Sequence, residues 1–234
     1  MSYKSNKLFI VVLLMSFVFA CKSSEMATSK TEEPIAITKD NSSLEELYWE
    51  RIESAKMNFV QADVDFMTMM IGHHAQALIM SDLAPKNGAS PEIQVLASRI
   101  INAQNDEIAT MQTWLKDRDQ PVPEIQIQGL NLMIHGEGMN HMDHKNMVGM
   151  LTQDQLEELA EAKDANFDKL YLEYMIQHHL GATSMVSDLI ATDGAVQDET
   201  AFRLATDINV DQITEIQRMK LMLKRIEDSE NSTE

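Results

Sequence analysis

The chain has 234 residues, a formal net charge of −18, and only 6% aromatic residues. That charge argues against nucleic acid as a partner, because phosphate contacts need a basic surface, and it is compatible with a cation. A single cysteine leaves no disulfide, while 18 methionines are several times a usual share.

The N-terminus is laid out for export. Lys4 and Lys7 form a positive start, an apolar run covers residues 8–20, and Cys21 follows. This is the pattern of a secretory signal peptide, and the run is too short to span a membrane comfortably. The tetrapeptide Val18-Phe19-Ala20-Cys21 resembles the bacterial lipoprotein cleavage box. It implies removal of residues 1–20, acylation of Cys21, and a place in the bacterial cell envelope, membrane-anchored and facing the periplasm or the cell surface. The mature chain then has no free thiol. A protein outside the reducing cytoplasm that needs a soft sulfur ligand must use Met. Residues 21–43 read as the lipidated Cys and a flexible Ser/Thr/Lys/Glu-rich tether.

Residues 44–119 form a first predicted helical hairpin. Helical patterning starts at Leu44, with Ser42 and Glu45 or Ser43 and Glu46 as a capping box, and runs to Ala84 with a break near Asn58. The stretch "PKNG" at 85–88 stops it. Ser90 and Pro91 restart a helix as N-cap and first position, and this helix ends near Arg118. Residues 120–150 are a Met/His-rich connection. Thr152 and Gln155 then make another capping box, and residues 151–228 read as a second hairpin, broken at "ATDG" and followed by a polar tail at 229–234.

The second hairpin repeats the first. A shift of 105 residues superposes Asp63 on Asp168, Met70 on Met175, His73 on His178, His74 on His179 and Met80 on Met185. A shift of 108 superposes Gln104 on Gln212, Glu107 on Glu215 and Met111 on Met219. One hairpin cannot bury its apolar side alone. Two can, which predicts an all-α, four-helix bundle built from two repeated hairpins.

At 100° per residue, Phe66, Met70, His73, Ala77 and Met80 share one stripe, and Val60, Met67, Ile71, His74 and Leu78 the next. Gln61, Asp65, Thr68, Gly72 and Gln76 fall on the opposite side. Tyr171, Met175, His178, Ala182 and Met185 repeat the first stripe, and His179 lies on the second. Four imidazoles thus point inward, each pair with Met one turn before and two turns after. A buried imidazole must satisfy its ring nitrogens, either by a hydrogen bond to Gln or Glu on a neighbouring helix or by a metal, and one ring can do both. Glu107 with Met111, and Glu215 with Met219, lie on the inward faces of the partner helices. A Glu there requires a cation, a metal or a donor.

The connection holds Met133, His135, Met139, His141, Met142, His144, Met147 and Met150 among Gly, Asn, Asp and Lys. Such a tract gains little by burial. Thioethers and imidazoles without thiols suit a soft or borderline metal: Cu(I) first, Cu(II) through the imidazoles, Ag(I) by similarity.

The stretches "DVDFMTMMIGHHAQALIMSDLA", "RIINAQNDEIATMQTWL" and "DKLYLEYMIQHHLGA" resemble the domain of unknown function 305 family over residues 57–228. The resemblance implies a ferritin-like helical fold and kinship with periplasmic copper-binding proteins. It also implies Met70, His73, His74, Met80, Met175, His178, His179 and Met185 as ligand-bearing positions.

The expected function is a non-enzymatic, lipid-anchored copper-binding protein that sequesters copper or passes it to a metal-exporting or metal-accepting protein, possible oligomers included. A di-metal oxidase is the alternative, but it needs Glu-x-x-His pairs and the sequence has none. A structural or adaptor module, with Met and His as core, is the other.

Overall fold

The computed structural model describes residues 40–136 and 147–232. The chain divides into two units, Met1–Ser43 and Leu44–Glu234. Among the described residues the second unit is helical apart from one small hairpin. Its elements are α1 (Asp40–Lys56, which begins at the boundary), α2 (Gln61–Asp82), α3 (Pro91–Lys116), β1 (Glu124–Gln128), β2 (Asn131–His135), α4 (Gln153–Glu161), α5 (Asp164–Ile190) and α6 (Glu199–Asn231). Cys21, Met139, His141, Met142 and His144 lie outside the described residues.

α3 and α6 begin on a side-chain oxygen that satisfies an otherwise open backbone donor. Ser90 caps α3 by accepting from Ile93 N at 3.5 Å, with Pro91 at the first position. Asp198 caps α6 by accepting from Ala201 N at 2.9 Å. At the start of α2, buried Asp63 accepts from Val60 N at 2.9 Å and from Val196 N, in the α5–α6 loop, at 2.7 Å. Its repeat counterpart Asp168, near the start of α5, accepts from Ser90 N in the α2–α3 loop at 3.1 Å. Each carboxylate therefore ties one hairpin to the loop of the other.

α2 packs along α3 and α5 along α6. α2 also packs on α5, and α3 touches α6 more lightly. The core falls into two apolar clusters. One joins Met80, Ile93, Leu96, Ile100, Phe167, Tyr171, Met175, Ile216 and Met219. The other joins Phe66, Met67, Met70, Ile71, Met111, Trp114, Leu115, Val186 and Ile208, with Met185 at its margin. Because paired helices run in opposite senses, the first half of one helix meets the second half of the next. Each cluster thus takes methionines from both halves of the chain: Met70, Met111 and Met185 in one, Met80, Met175 and Met219 in the other. His73, His74, Gln104, His178, His179 and Gln212 are buried and belong to neither.

Several expectations are corrected. α1 starts at Asp40, so Ser42 and Ser43 lie inside the helix rather than capping it. The helix expected from Thr152 to Ile190 is two helices. Asn87 Nδ2 donates to the carbonyls of Leu159, Ala160 and Ala162, ending α4, and Asp164 at φ 52° redirects the chain into α5. The side of α2 carrying Thr68, Gly72 and Gln76 is not left to solvent. All three are buried. The connection is not featureless either: β1 and β2 pair antiparallel, Glu124 opposite His135 and Gln128 opposite Asn131. Gly129, at φ 62°, is the first residue of the two-residue turn, where a positive φ is needed.

The α6 cap carries the one fully buried ion pair among the described residues. Arg118 Nε donates to Asp198 Oδ2 at 3.0 Å, Nη2 reaches the same oxygen, and Trp114 Nε1 donates to Oδ1 at 3.3 Å. The guanidinium also stacks over the Trp114 ring, 4.3 Å from its centroid. Removing the carboxylate strands a buried cation. Asp198→Ala should lower stability in urea titration by about 3–5 kcal/mol. Asp82→Ala, which breaks an exposed pair with Lys86, should change it by less than about 1 kcal/mol.

Candidate metal centre

The polar residues between the two apolar clusters form one layer. α2 contributes His73 and His74, α5 His178 and His179, α3 Gln104 and Glu107, and α6 Gln212 and Glu215. The spacing explains the placement: consecutive histidines straddle the inward face of α2 and α5, and Gln and Glu three apart share one face of α3 and α6.

The His73 and His178 rings face each other, centroids 3.8 Å apart and planes tilted by 40°. Within each pair the rings are 6.5 Å (His73, His74) and 6.2 Å (His178, His179) apart. His74 Nε2 lies 2.7 Å from Glu107 Oε2, and His179 Nε2 lies 2.6 Å from Glu215 Oε2. His73 Nε2 lies 3.2 Å from the carbonyl of Val148. A carboxylate or carbonyl oxygen can only accept, so Nε2 carries a hydrogen in these three rings, and Nδ1 is the nitrogen left without that anchor. Those three Nδ1 atoms, both nitrogens of His178, both amide atoms of Gln104 and Oε1 of Gln212 are buried without a protein partner.

Burial, and secondarily the neighbouring His74, push the His73 pKa down from 6.5 to about 3. Burial and then His73 push His178 well below its ordinary value. Both rings are therefore neutral at physiological pH, the form in which imidazole ligates a metal.

Of the residues singled out in the sequence, the fold brings His73, His74, His178, His179, Glu107 and Glu215 together. The hydrogen bond to Glu is the conventional solution for a buried imidazole, and the structure uses it for one His of each pair. Met70, Met111 and Met185 lie in the apolar cluster on one side of the layer, and Met80, Met175 and Met219 in the cluster on the other. His135 is exposed at the end of β2 and Met133 is half-buried, both outside the layer. Met147 and Met150 are half-buried beside Val148. Among the described residues no three His, Cys, Asp or Glu side chains stand ready around one point.

Sequence reasoning missed the backbone part of the layer. Residues 147–151 cross α2 and α5 beside His73. Gln76 Nε2 donates to Leu151 O at 2.9 Å, and Leu151 N donates to Gln76 Oε1 at 2.7 Å. Gly181 occupies the position that matches Gln76 in the repeat. A Cβ there would lie 2.0 Å from Val148 O and 2.6 Å from Gly149 Cα, so only glycine admits the strap. Nothing local in the sequence signals this crossing.

A family profile described as Domain of unknown function (DUF305) matches residues 63–223. The chain belongs to the DUF305 family. The crystal structure of a DUF305 fragment from Deinococcus radiodurans is 26% identical, covers 71% of this chain and 98% of that one, and superposes with a TM-score of 0.58. CopM in its Cu(II)-bound form is 32% identical, covers 70% and 96% of the two chains, and gives 0.51. CopM in its Cu(I)-bound form is 29% identical with the same coverage and TM-score. Curated proteins give no match. The DUF305 match contains the whole polar layer.

The layer should make the metal-free protein acid-sensitive. Below pH 6.5 the unfolded chain takes up a proton on His73 and the folded chain does not, until about pH 3. Stability attributable to this ring is complete above 6.5 and declines as pH falls, by about 1.4 kcal/mol per pH unit. Urea titrations at pH 7 and pH 5 in a chelator should show His73→Gln losing less stability than wild type over that interval. An equal loss would contradict a neutral buried ring.

Proposed function

We propose that this protein is an extracytoplasmic copper-binding protein that holds Cu(I) in the imidazole layer and sequesters it or passes it on. The observation that carries the reading is the facing pair His73 and His178, neutral, ring centroids 3.8 Å apart, in a layer where Nδ1 of all four histidines is buried without a partner. Neutral imidazole and thioether are the donors that remain for a soft ion where thiols are a liability. CopM, a DUF305 relative, is known in Cu(I)- and Cu(II)-bound forms, which supports copper as the cargo here. Cu(II) is the secondary cargo, through imidazoles.

In this reading α2, α3, α5 and α6 are a ferritin-like four-helix bundle of two repeated hairpins, and the repeat supplies a matched His pair from each. The signal peptide exports the chain, Cys21 is acylated, and residues 22–43 tether the body to the envelope membrane. The Met/His-rich connection offers further donors, with Met147 and Met150 beside Val148. The protein is a carrier rather than an enzyme. Glu107 and Glu215 are the inward carboxylates an oxidase would need, and each is engaged by an imidazole. A metal-exporting or metal-accepting protein is the partner this role calls for.

Purified protein titrated anaerobically with Cu(I) against a competing chelator should bind it. Exchanging His73, His74, His178 and His179 for Gln should remove the tightest site while the helical circular dichroism persists. Unchanged affinity in that variant would reduce the four histidines to packing.

A further inference from the structure

The polar layer is closed on one side and only partly closed on the other. On the side of α2 and α5 the strap at 147–151 lies on His73. Gln76 holds it through both backbone groups of Leu151, and glycine backbone rests on glycine backbone at Gly149 and Gly181. On the side of α3 and α6 the outermost members of the layer are Glu107 and Glu215. Their side chains are 13% and 16% exposed, whereas those of His74 and His179 beneath them are 0% exposed.

We propose that a cation reaches the buried imidazoles between α3 and α6, past Asp207 and Asp211 and between Glu107 and Glu215, and that the strap is a fixed wall. This rests on the copper-binding reading above and adds the route. Asp207, Asp211 and Glu215 stand four residues apart, so they form one stripe on α6 that descends to the layer. Asp211 stands at the surface, and partial desolvation, followed by the fields of Glu107, Glu215 and Asp207, raises its pKa. That mutual repulsion is what a passing cation relieves. About one helical turn before each glutamate stand the buried Gln104, with its whole amide unpartnered, and Gln212, with Oε1 unpartnered, and the imidazole each glutamate holds has its Nδ1 buried without a partner. Polar atoms in want of a partner therefore line the inner end of the acidic stripe. Each glutamate is held by an imidazole, so a cation that draws the carboxylate away frees a ring at the same step.

Aspartates that only steer act on the rate of loading and leave the end point unchanged, and salt screens their effect. The full chain is mixed anaerobically with Cu(I) supplied as its acetonitrile complex. Unbound ion is captured with excess bicinchoninate after set intervals. Asp207→Asn with Asp211→Asn should load about three- to tenfold more slowly than wild type at low ionic strength. The deficit should shrink in high salt, and the final stoichiometry should be unchanged. Equal rates for wild type and the double variant at low salt would overturn the route while leaving the site standing. A wild type that takes no Cu(I) into the layer would remove the copper-binding reading itself, and the route with it.

Discussion

A polar layer can sit between two apolar clusters only if each of its charges is paired or absent. Two hydrogen bonds meet that condition here, His74 with Glu107 and His179 with Glu215. Each joins a fully buried ring to a carboxylate that still touches water, so the charge keeps part of its solvation while its oxygen fixes the ring. Fixing Nε2–H outward leaves Nδ1 inward. His73 reaches the same tautomer by a different means, a backbone carbonyl of the strap. The pattern of unpartnered Nδ1 atoms follows from these anchors. The methionines, by contrast, are placed by packing, one set in each apolar cluster.

The inward faces were legible because a helix repeats every 3.6 residues and the two halves of the chain repeat each other. A histidine pair alone would have been ambiguous. The same pair found again 105 residues on, with Gln104 and Glu107 matched by Gln212 and Glu215, located the layer before any coordinates. The sequence leaves the acceptor of each ring open between Gln and Glu. For His74 and His179 it is Glu, a stronger acceptor for an N–H than an amide, whereas His73 takes a backbone carbonyl and His178 takes neither.

The rest was hidden for identifiable reasons. Gln76 lies on the polar side of its helix, and its burial depends on residues about 75 positions further along the chain. Gly181, taken alone, is simply a weak helix former. Its role exists only where a second backbone crosses it. The alternation of "EIQIQ" and "NLMIH" was present throughout, but the neighbouring Met and His residues drew the segment into a compositional category that concealed a period of two. The division of α4 from α5 likewise depends on Asn87 from the other hairpin, which no window of local sequence contains.

The unpartnered nitrogens and amide atoms of the layer have a bearing on the life of the protein in the cell. A buried polar atom without a partner weakens the folded state, and the unfolded chain bears no such burden. An ion that satisfies these atoms binds one form and not the other, so it shifts the folding equilibrium in proportion to its supply. On the proposed copper-binding reading, the empty chain is the form that proteases meet open most often. Its abundance would then follow the supply of the ion through turnover, after synthesis.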